Sequence, residues 1–341
     1  MDTHKDVHVA VALDERGRYL GELSVATTTR GLRELLAWAE DLGPVTAFGV
    51  EGTGCYGAGL ARLLRRQGHL VVEVMRPNRQ TRRRKGKSDP KDAEAAARAV
   101  LSGEAHASPK AGDAQVEMIR SLRVARSTAM KARTQAINAL RALVISAPSE
   151  LRDQLRELAG DELVATCARL RPGEIVTPAG AFKLSARCLA QRYLALVEEI
   201  DVLDGELQRL TAEVAPALVD VFGVGPDVAG ALLVTAGDNP ERLRSEAAFA
   251  HLCGVSPIEA SSGKTVRHRL NRGGDRRANA ALHRVVLVRL RWHQPTRDYM
   301  RRRTKEGLSK PEIIRCLKRY VAREVFAVLN DPPVRDLPKA A

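Results

Sequence analysis

The chain of 341 residues has few aromatic side chains and no long apolar segment. Phe, Trp and Tyr make up only 4% of it, although 44% of the residues are hydrophobic. Any core must therefore be built mainly from Leu, Val and Ala. No apolar run approaches the roughly 20 residues of a membrane-spanning helix, and no apolar segment follows Met1 as it does in a secretory signal. These absences predict a protein that neither crosses a membrane nor is exported.

Cysteine is also scarce, and its pattern is uninformative for metal binding. The five cysteines are odd in number, scattered, and contain no C-x-x-C pair. This argues against a disulfide framework or a zinc ribbon and predicts a reducing, cytoplasmic location.

Positive charge is what the chain has in excess. The net charge is +14 and the pI is near 10.0. Such a charge indicates a polyanionic partner, either nucleic acid or an anionic membrane surface. Because nothing else in the sequence points to a membrane, nucleic acid is the expected partner.

The N-terminal third alternates between strand and helix patterns. Apolar residues recur at every second position in 7–13, which predicts a strand, and a turn leads to a returning strand. The order strand, strand, helix, strand, helix, strand, helix predicts an α/β domain over residues 1–107. Strands are expected at 7–13, 19–25, 45–50 and 70–75, and helices after Thr29, after Gly54 and from about Asp89.

Residues 113–215 are expected to be almost wholly helical. Between residues 189 and 214, apolar side chains recur at alternating spacings of four and three, which is a heptad seam. The pattern predicts a coiled-coil hairpin with a helix near residues 115–146, and an ordinary helix pair in a bundle is the alternative. The seam consists of Leu189, Tyr193, Leu196, Ile200, Leu203, Leu207, Leu210 and Val214.

Residues 216–330 are expected to form a mainly α C-terminal domain. The segment Phe222-Gly-Val-Gly-Pro226 lies between two apolar helices and is similar to a helix-hairpin-helix turn, whose amides can hold a phosphate. A helix C-cap followed by proline is an equally suitable interpretation. The basic helical tail after Arg284 favours phosphate contacts.

Four acids lie at the ends of the expected N-terminal elements. Asp2 precedes the first hairpin, Glu51 ends a short apolar strand, and Asp89 and Asp92 share one face at the start of a helix. Each acid alone is compatible with a helix cap or a surface charge. Together they match the acid constellation of an RNase H-like (RuvC-like) nuclease core. Carboxylates are the ligands that Mg²⁺ prefers, and two such ions can assist phosphoryl transfer.

A second candidate site is Ser262, followed by Gly263 in a basic loop. A serine hydroxyl in an electropositive setting can attack phosphorus, although a plain Ser-Ser-Gly turn is the alternative. Basic residues in this loop and ahead of Asp89 are predicted to contact nucleic acid. They are Arg79, Arg82, Arg83, Arg84, Lys85, Lys87, Lys264, Arg267, Arg269 and Arg272.

Several motifs recur in one known family. They are M-D-T-H-K-D, V-E-G-T-G-C-Y, K-S-D-P-K-D-A, G-V-G-P, G-V-S-P-I-E-A-S-S-G and N-R-G-G-D-R-R-A-N-A-A-L. With them, nearly the full chain resembles the DEDD-type insertion-sequence transposases, which are related to the pilin-gene invertases.

The resemblance implies a RuvC-like domain over 1–107, a coiled-coil region over 113–215 and a transposase domain over 216–330. The nucleophilic serine of that last domain corresponds to Ser262. It further implies Mg²⁺ at the four acids, dimers assembling into tetramers, and a structured bridge RNA that pairs with donor and target DNA, as guide RNAs do elsewhere. The expected function is a recombinase that cuts and rejoins DNA strands. A junction-resolving, metal-dependent nuclease and an inactive nucleic-acid-binding remnant are the alternatives.

One feature departs from the family. There the first acid ends a buried apolar strand, whereas only Met1 precedes Asp2 here. We therefore expect the central strand to be essentially missing, its neighbours to have unpaired backbone groups, and Asp2 to be poorly held.

Overall fold

The computed structural model describes residues 1–75, 88–112, 114–239 and 243–330. The chain divides into two compact units. The first combines Met1–Glu117 with Thr235–Gly274, and the second combines Met118–Val234 with the described part of Asp275–Ala341. The three-domain boundaries stay a prediction.

Helices predominate and the strands are short. The strands are β1 (Asp2–Thr3), β2 (Val7–Leu13), β3 (Tyr19–Ala26), β4 (Phe48–Glu51), β5 (Val71–Val74), β6 (Ile258–Glu259) and β7 (His268–Arg269). The helices are α1 (Thr29–Asp41), α2 (Ala58–Arg66), α3 (Asp89–Leu101), α4 (Gln115–Ile145), α5 (Ser149–Leu155), α6 (Gly160–Ala168), α7 (Pro178–Val214), α8 (Pro216–Val219), α9 (Pro226–Ala236), α10 (Glu246–Leu252), α11 (Arg276–Trp292), α12 (Gln294–Lys305) and α13 (Lys310–Asn330).

In the first unit, β1 joins an antiparallel hairpin to a parallel pair of strands. β2 pairs with β3, and β4 pairs in parallel with β5. Asp2 is opposite Val9 in an antiparallel ladder. On its other side, the Met1 amine donates to the Gly49 carbonyl at 2.8 Å, and the Met1 carbonyl accepts from the Glu51 N–H at 3.1 Å. Met1 thus donates to one residue of β4 and accepts from the residue two positions further along, which is the hydrogen-bond pattern of parallel strands.

We expected that an essentially missing central strand would leave its neighbours with unpaired backbone groups and Asp2 poorly held. Both of these expectations are wrong. β1 is only two residues long, but it bonds to strands on both sides. The Thr3 hydroxyl adds a hydrogen bond of 2.7 Å to the Glu51 carbonyl. Because these bonds fix the short segment, Asp2 is 5% exposed rather than poorly held.

Successive side chains of β4 point to opposite faces of the sheet, and helices cover each face. Phe48 and Val50 belong to the core that includes Leu35 of α1 and Leu60 of α2. Gly49 faces the opposite way, since a Cβ there would lie 2.7 Å from a methyl group of Val100 in α3. Side chains alternate along a strand, so Glu51 is on the α3 side of the sheet.

The strand β2 packs on the same helix. Val9 and Val11 form a small buried cluster with Ala93 of α3. Since Asp2 is the neighbour of Val9 in the ladder, its side chain shares this face. α3 thus covers the face on which both acids lie.

Residues 235–274 belong to the first unit although they lie far along the sequence. Asn239 is 7% exposed, and its side chain accepts from the Ala111 N–H and donates to the Pro109 carbonyl, both at 3.0 Å. Asp238 accepts from the Val116 N–H at 2.9 Å. The β6–β7 hairpin, which contains Ser262, is therefore part of the same compact unit as the acids.

In the second unit, α4 and α7 form an antiparallel helical hairpin. Arg126 pairs with Asp204, and the Arg133 guanidinium lies 6.0 Å from the centroid of the Tyr193 ring. Every residue of the predicted seam is buried or half-buried, so the seam lies on the inner side of α7. The supercoil itself stays a prediction, as does the RNase H-like classification of the first unit.

The helix-hairpin-helix assignment of the segment after α8 stays a prediction. The proposed helix-hairpin-helix turn lies between α8, which is only one turn long, and α9. Gly223 has φ +85° in this turn, a conformation that favours glycine. Burial would raise the pKa of Asp227 in α9, but Arg123 and Arg284 hold it below its usual value.

No helix among the described residues is long and apolar enough to cross a bilayer.

Candidate active site

Three side chains meet at one edge of the sheet in the first unit. His4 Nε2 lies 3.1 Å from Asp2 Oδ2 and 3.5 Å from Asp89 Oδ1. One ligand atom from each residue lies within 4.8 Å of the others. This spacing is compatible with one bound cation touching all three.

The start of α3 supplies two of the predicted acids. Ser88 is extended at the N-cap and Pro90 occupies the first turn, as in many helix starts. Asp92 is 6% exposed and lies on the buried face of α3 together with Ala93. The Asp89 side chain, one turn earlier, is 46% exposed. The helix therefore presents one buried and one accessible carboxylate at its N-terminus, where the helix dipole favours negative charge.

Glu51 completes the predicted set from the end of β4. It is 5% exposed and lies on the α3 side of the sheet. Burial lowers the pKa of the Met1 amine to about 5, while Asp2 and Glu51 act on it in the opposite direction. Both carboxylates are therefore close to the same amine. Glu51 and Asp92 are not part of the group whose ligand atoms lie within 4.8 Å.

His4 is a site residue that the sequence reasoning missed. It follows Asp2 by two positions, a spacing that returns to the same side of an extended chain. That spacing was the available signal. An imidazole nitrogen and two carboxylate oxygens form a donor set that suits a divalent cation, with Mg²⁺ favouring the oxygens and Mn²⁺ also tolerating imidazole. The residues present thus fit a metal ion.

The serine candidate lies at the tip of the β6–β7 hairpin. Ser262 and Thr265 exchange both backbone hydrogen bonds at 3.1 Å, and Gly263 has φ +57° in the turn between them. Ser261 Oγ accepts from the Arg267 N–H at 3.1 Å. Ser262 is exposed, and its hydroxyl has no hydrogen bond within the described part of the chain. Of the two serines, Ser262 is therefore the one available to a ligand.

Basic residues follow this tip in the sequence. Lys264, Arg267, Arg269 and Arg272 are all exposed. The other predicted nucleic-acid contacts fall in residues 76–87 and lie outside the described residues. They are Arg79, Arg82, Arg83, Arg84, Lys85 and Lys87.

Two family models match the chain. A transposase model of the DEDD type found in IS110 matches residues 1–147. A second model, described as the transposase IS116/IS110/IS902 family, matches residues 215–301. Together they cover more than half of the chain, which therefore belongs to the IS110 family of transposases.

A curated relative agrees with this family. The chain is 26% identical over 160 residues to the insertion element IS110 uncharacterized 43.6 kDa protein of Streptomyces coelicolor. The match covers 46% of this chain and 39% of the relative, so it spans about two fifths of the relative's length.

The three-residue group predicts how metal affinity responds to single substitutions. Asp2→Asn and Asp89→Asn should each weaken Mn²⁺ and Mg²⁺ binding at least about tenfold, because a charged ligand is lost. His4→Gln should reduce Mn²⁺ affinity more than Mg²⁺ affinity, because imidazole is a better ligand for Mn²⁺. Isothermal titration calorimetry measures both. Asp6→Asn is the matched control, since Asp6 is exposed nearby and outside the group. Unchanged affinity in a folded Asp2→Asn protein would rule out this site.

Proposed function

We propose that the protein is a DNA transposase that cuts and rejoins DNA strands when its mobile element is excised and inserted. The observation that carries the proposal is the grouping of Asp2, His4 and Asp89 at one sheet edge, with Glu51 and Asp92 buried on the same side. Family membership and the net charge of +14 support DNA as the substrate.

The acids would hold a divalent cation, and Mg²⁺ is the proposed ion. When bound, such an ion supplies positive charge that neutralises the scissile phosphate and the oxygens exchanging on it. Asp2, His4 and Asp89 would hold it directly, and Glu51 and Asp92 would complete the set of ligands as the nucleic acid enters. The His4 imidazole lies between the two carboxylates, 3.1 Å from Asp2 and 3.5 Å from Asp89.

Ser262 is the proposed nucleophile. Its Oγ would form a bond to the scissile phosphorus while the bond from phosphorus to the leaving sugar oxygen breaks. The serine proton passes to solvent, and the leaving sugar oxygen takes up a proton. In the reverse sense, a sugar hydroxyl of the new strand would attack the phosphoserine and release Ser262. The number of phosphodiester bonds is conserved, so rejoining needs no external energy source.

The hairpin geometry supports this role for Ser262 over Ser261. Ser261 is bound to the backbone of Arg267, whereas Ser262 is exposed at the tip. Lys264 and Arg267 would hold phosphate oxygens next to it. The hairpin and the acids belong to the same compact unit, which makes joint action within one chain the simpler arrangement.

We extend the proposal to a structured bridge RNA that pairs with donor and target DNA, and to dimers that assemble into tetramers. Both rest on the family resemblance, and the excess of positive charge is compatible with an RNA partner. The second candidate function is a hydrolytic, junction-resolving nuclease. The acid group favours it equally, because metal-assisted water attack does not require Ser262.

The acid set predicts separable effects on binding and cleavage. Asp92→Asn should abolish strand cleavage, because a buried ligand is lost, and should leave nucleic-acid affinity nearly unchanged, because no phosphate contact is removed. Cleavage of a labelled substrate and binding of the same substrate measure the two. Glu94→Gln is the matched control, an acid of the same helix that pairs with Arg98. Wild-type cleavage by Asp92→Asn would refute the metal-site proposal.

The serine assignment predicts a covalent adduct. On a nicked DNA substrate, the wild-type protein should accumulate a protein–DNA link that protease digestion and mass spectrometry locate at Ser262. Ser262→Ala should abolish both the adduct and recombination. Ser261→Ala should be milder, since that hydroxyl serves the hairpin. Cleavage without any adduct would select the nuclease, and a link at Ser261 would refute the assignment.

A further inference from the structure

Two exposed aromatic groups lie at the C-terminal end of α11 in the second unit. Trp292, the last residue of α11, is 66% exposed, and the Arg291 guanidinium lies 4.8 Å from its ring centroid. Phe222 is 47% exposed, and its ring centroid is 5.1 Å from that of His293. Of the two tryptophans and five phenylalanines of the chain, Trp292 and Phe222 are the exposed ones.

A buried arginine fixes the backbone next to these rings. Arg289 is 9% exposed, and its Nε donates to the Phe222 carbonyl at 2.8 Å. The same guanidinium pairs with Glu324 of α13 at 2.8 Å. A buried, doubly bonded arginine thus ties the Phe222 turn to α11 and α13. The aromatic groups are therefore presented by a rigid base rather than by a loose loop.

The positive charge of α11 and α12 indicates what kind of partner would bind at the rings. Of the five arginines of α11, Arg291 lies beside Trp292, whereas Arg284 and Arg289 are paired with acids. The next helix, α12, adds four arginines and one lysine against a single aspartate. A protein partner with an apolar face gains nothing from this charge, whereas a phosphate backbone does. The combination of flat apolar rings and cations matches the two parts of a nucleotide.

We propose that Trp292 and Phe222 stack on the bases of an unpaired nucleic-acid strand whose phosphates contact the exposed Arg291 and the exposed arginines of α12. In a duplex, the base faces already stack on each other and only their edges are accessible. In an unpaired strand, the base faces are free and stack on exposed aromatic rings irrespective of sequence. The proposal takes nucleic acid as the partner from the proposed function, but it requires neither strand cleavage nor a metal ion.

The experiment uses the full chain in buffer with EDTA at one fixed salt concentration. Trp38→Phe leaves Trp292 as the single tryptophan, so its emission reports on this surface. Unpaired DNA and unpaired RNA of about 12 nucleotides should quench the emission, and the tighter of the two identifies the source of the strand. A blunt duplex of the same length should quench it little.

A second measurement avoids dependence on the Trp38 variant. In the otherwise wild-type chain, Trp292→Leu should weaken binding of a fluorescently labelled unpaired strand about tenfold, and Trp292→Tyr should retain most of the affinity because it keeps a ring. Leu287→Ala is the matched control, since Leu287 is a 46% exposed apolar residue of the same helix. It should bind like the wild type.

Three results would overturn the proposal. The first is an unchanged affinity of Trp292→Leu for the unpaired strand. The second is an equal loss of affinity of Trp292→Leu for the duplex and for the unpaired strand. The third is a change of oligomeric state of Trp292→Leu in sedimentation, which would assign the surface to a second copy. Because the buffer contains EDTA, none of them bears on metal-dependent cleavage. Conversely, a failure of cleavage in the wild-type protein would leave the stacking result standing.

Discussion

The position of the candidate site depends on the backbone hydrogen bonds of residues 1–3. Met1 bonds to Gly49 and Glu51 on one side, while Asp2 pairs with Val9 on the other. Buried backbone groups must be paired, and the core packing of Met1 and the Thr3 hydroxyl bond to Glu51 add to the stability of this short segment. Because the two neighbouring strands satisfy it, the carboxylates of Asp2 and Glu51 both lie on the α3 side, where Asp89 and Asp92 begin that helix.

The first unit combines two opposite electrostatic tasks. Its buried acids repel a phosphate, and its exposed hairpin with Lys264, Arg267 and Arg269 attracts one. A cation bound at the acids would resolve the conflict, because it would turn the repulsive group into an attractive one. Such a cation would also explain why a chain with a net charge of +14 keeps several carboxylates buried together. The inference about Trp292 adds a contact of another kind, to bases rather than phosphates.

The elements predicted correctly are those with a local pattern in the sequence. The alternation in residues 7–13 identified β2, and Ser88-Asp-Pro90 identified the start of α3. It did not predict β1, because two residues cannot show a period. It missed His4, because its nearness to Asp89 arises only when β1 and α3 pack together. The bonds of Asn239 to residues 109 and 111 are likewise tertiary, so the grouping of the Ser262 hairpin with the acids was not foreseen.

The most direct measurement maps where a metal ion binds. Fe²⁺ substituted at the site and treated with ascorbate and peroxide generates hydroxyl radicals that cut the backbone next to the ion. If Asp2, His4 and Asp89 hold the ion, mass spectrometry should find cuts beside Asp2, Glu51 and Asp89, and added Mg²⁺ should suppress all of them together. Cuts confined to other segments, or cuts beside Glu51 and Asp89 that excess Mg²⁺ leaves unchanged, would contradict a metal centre at this edge of the sheet.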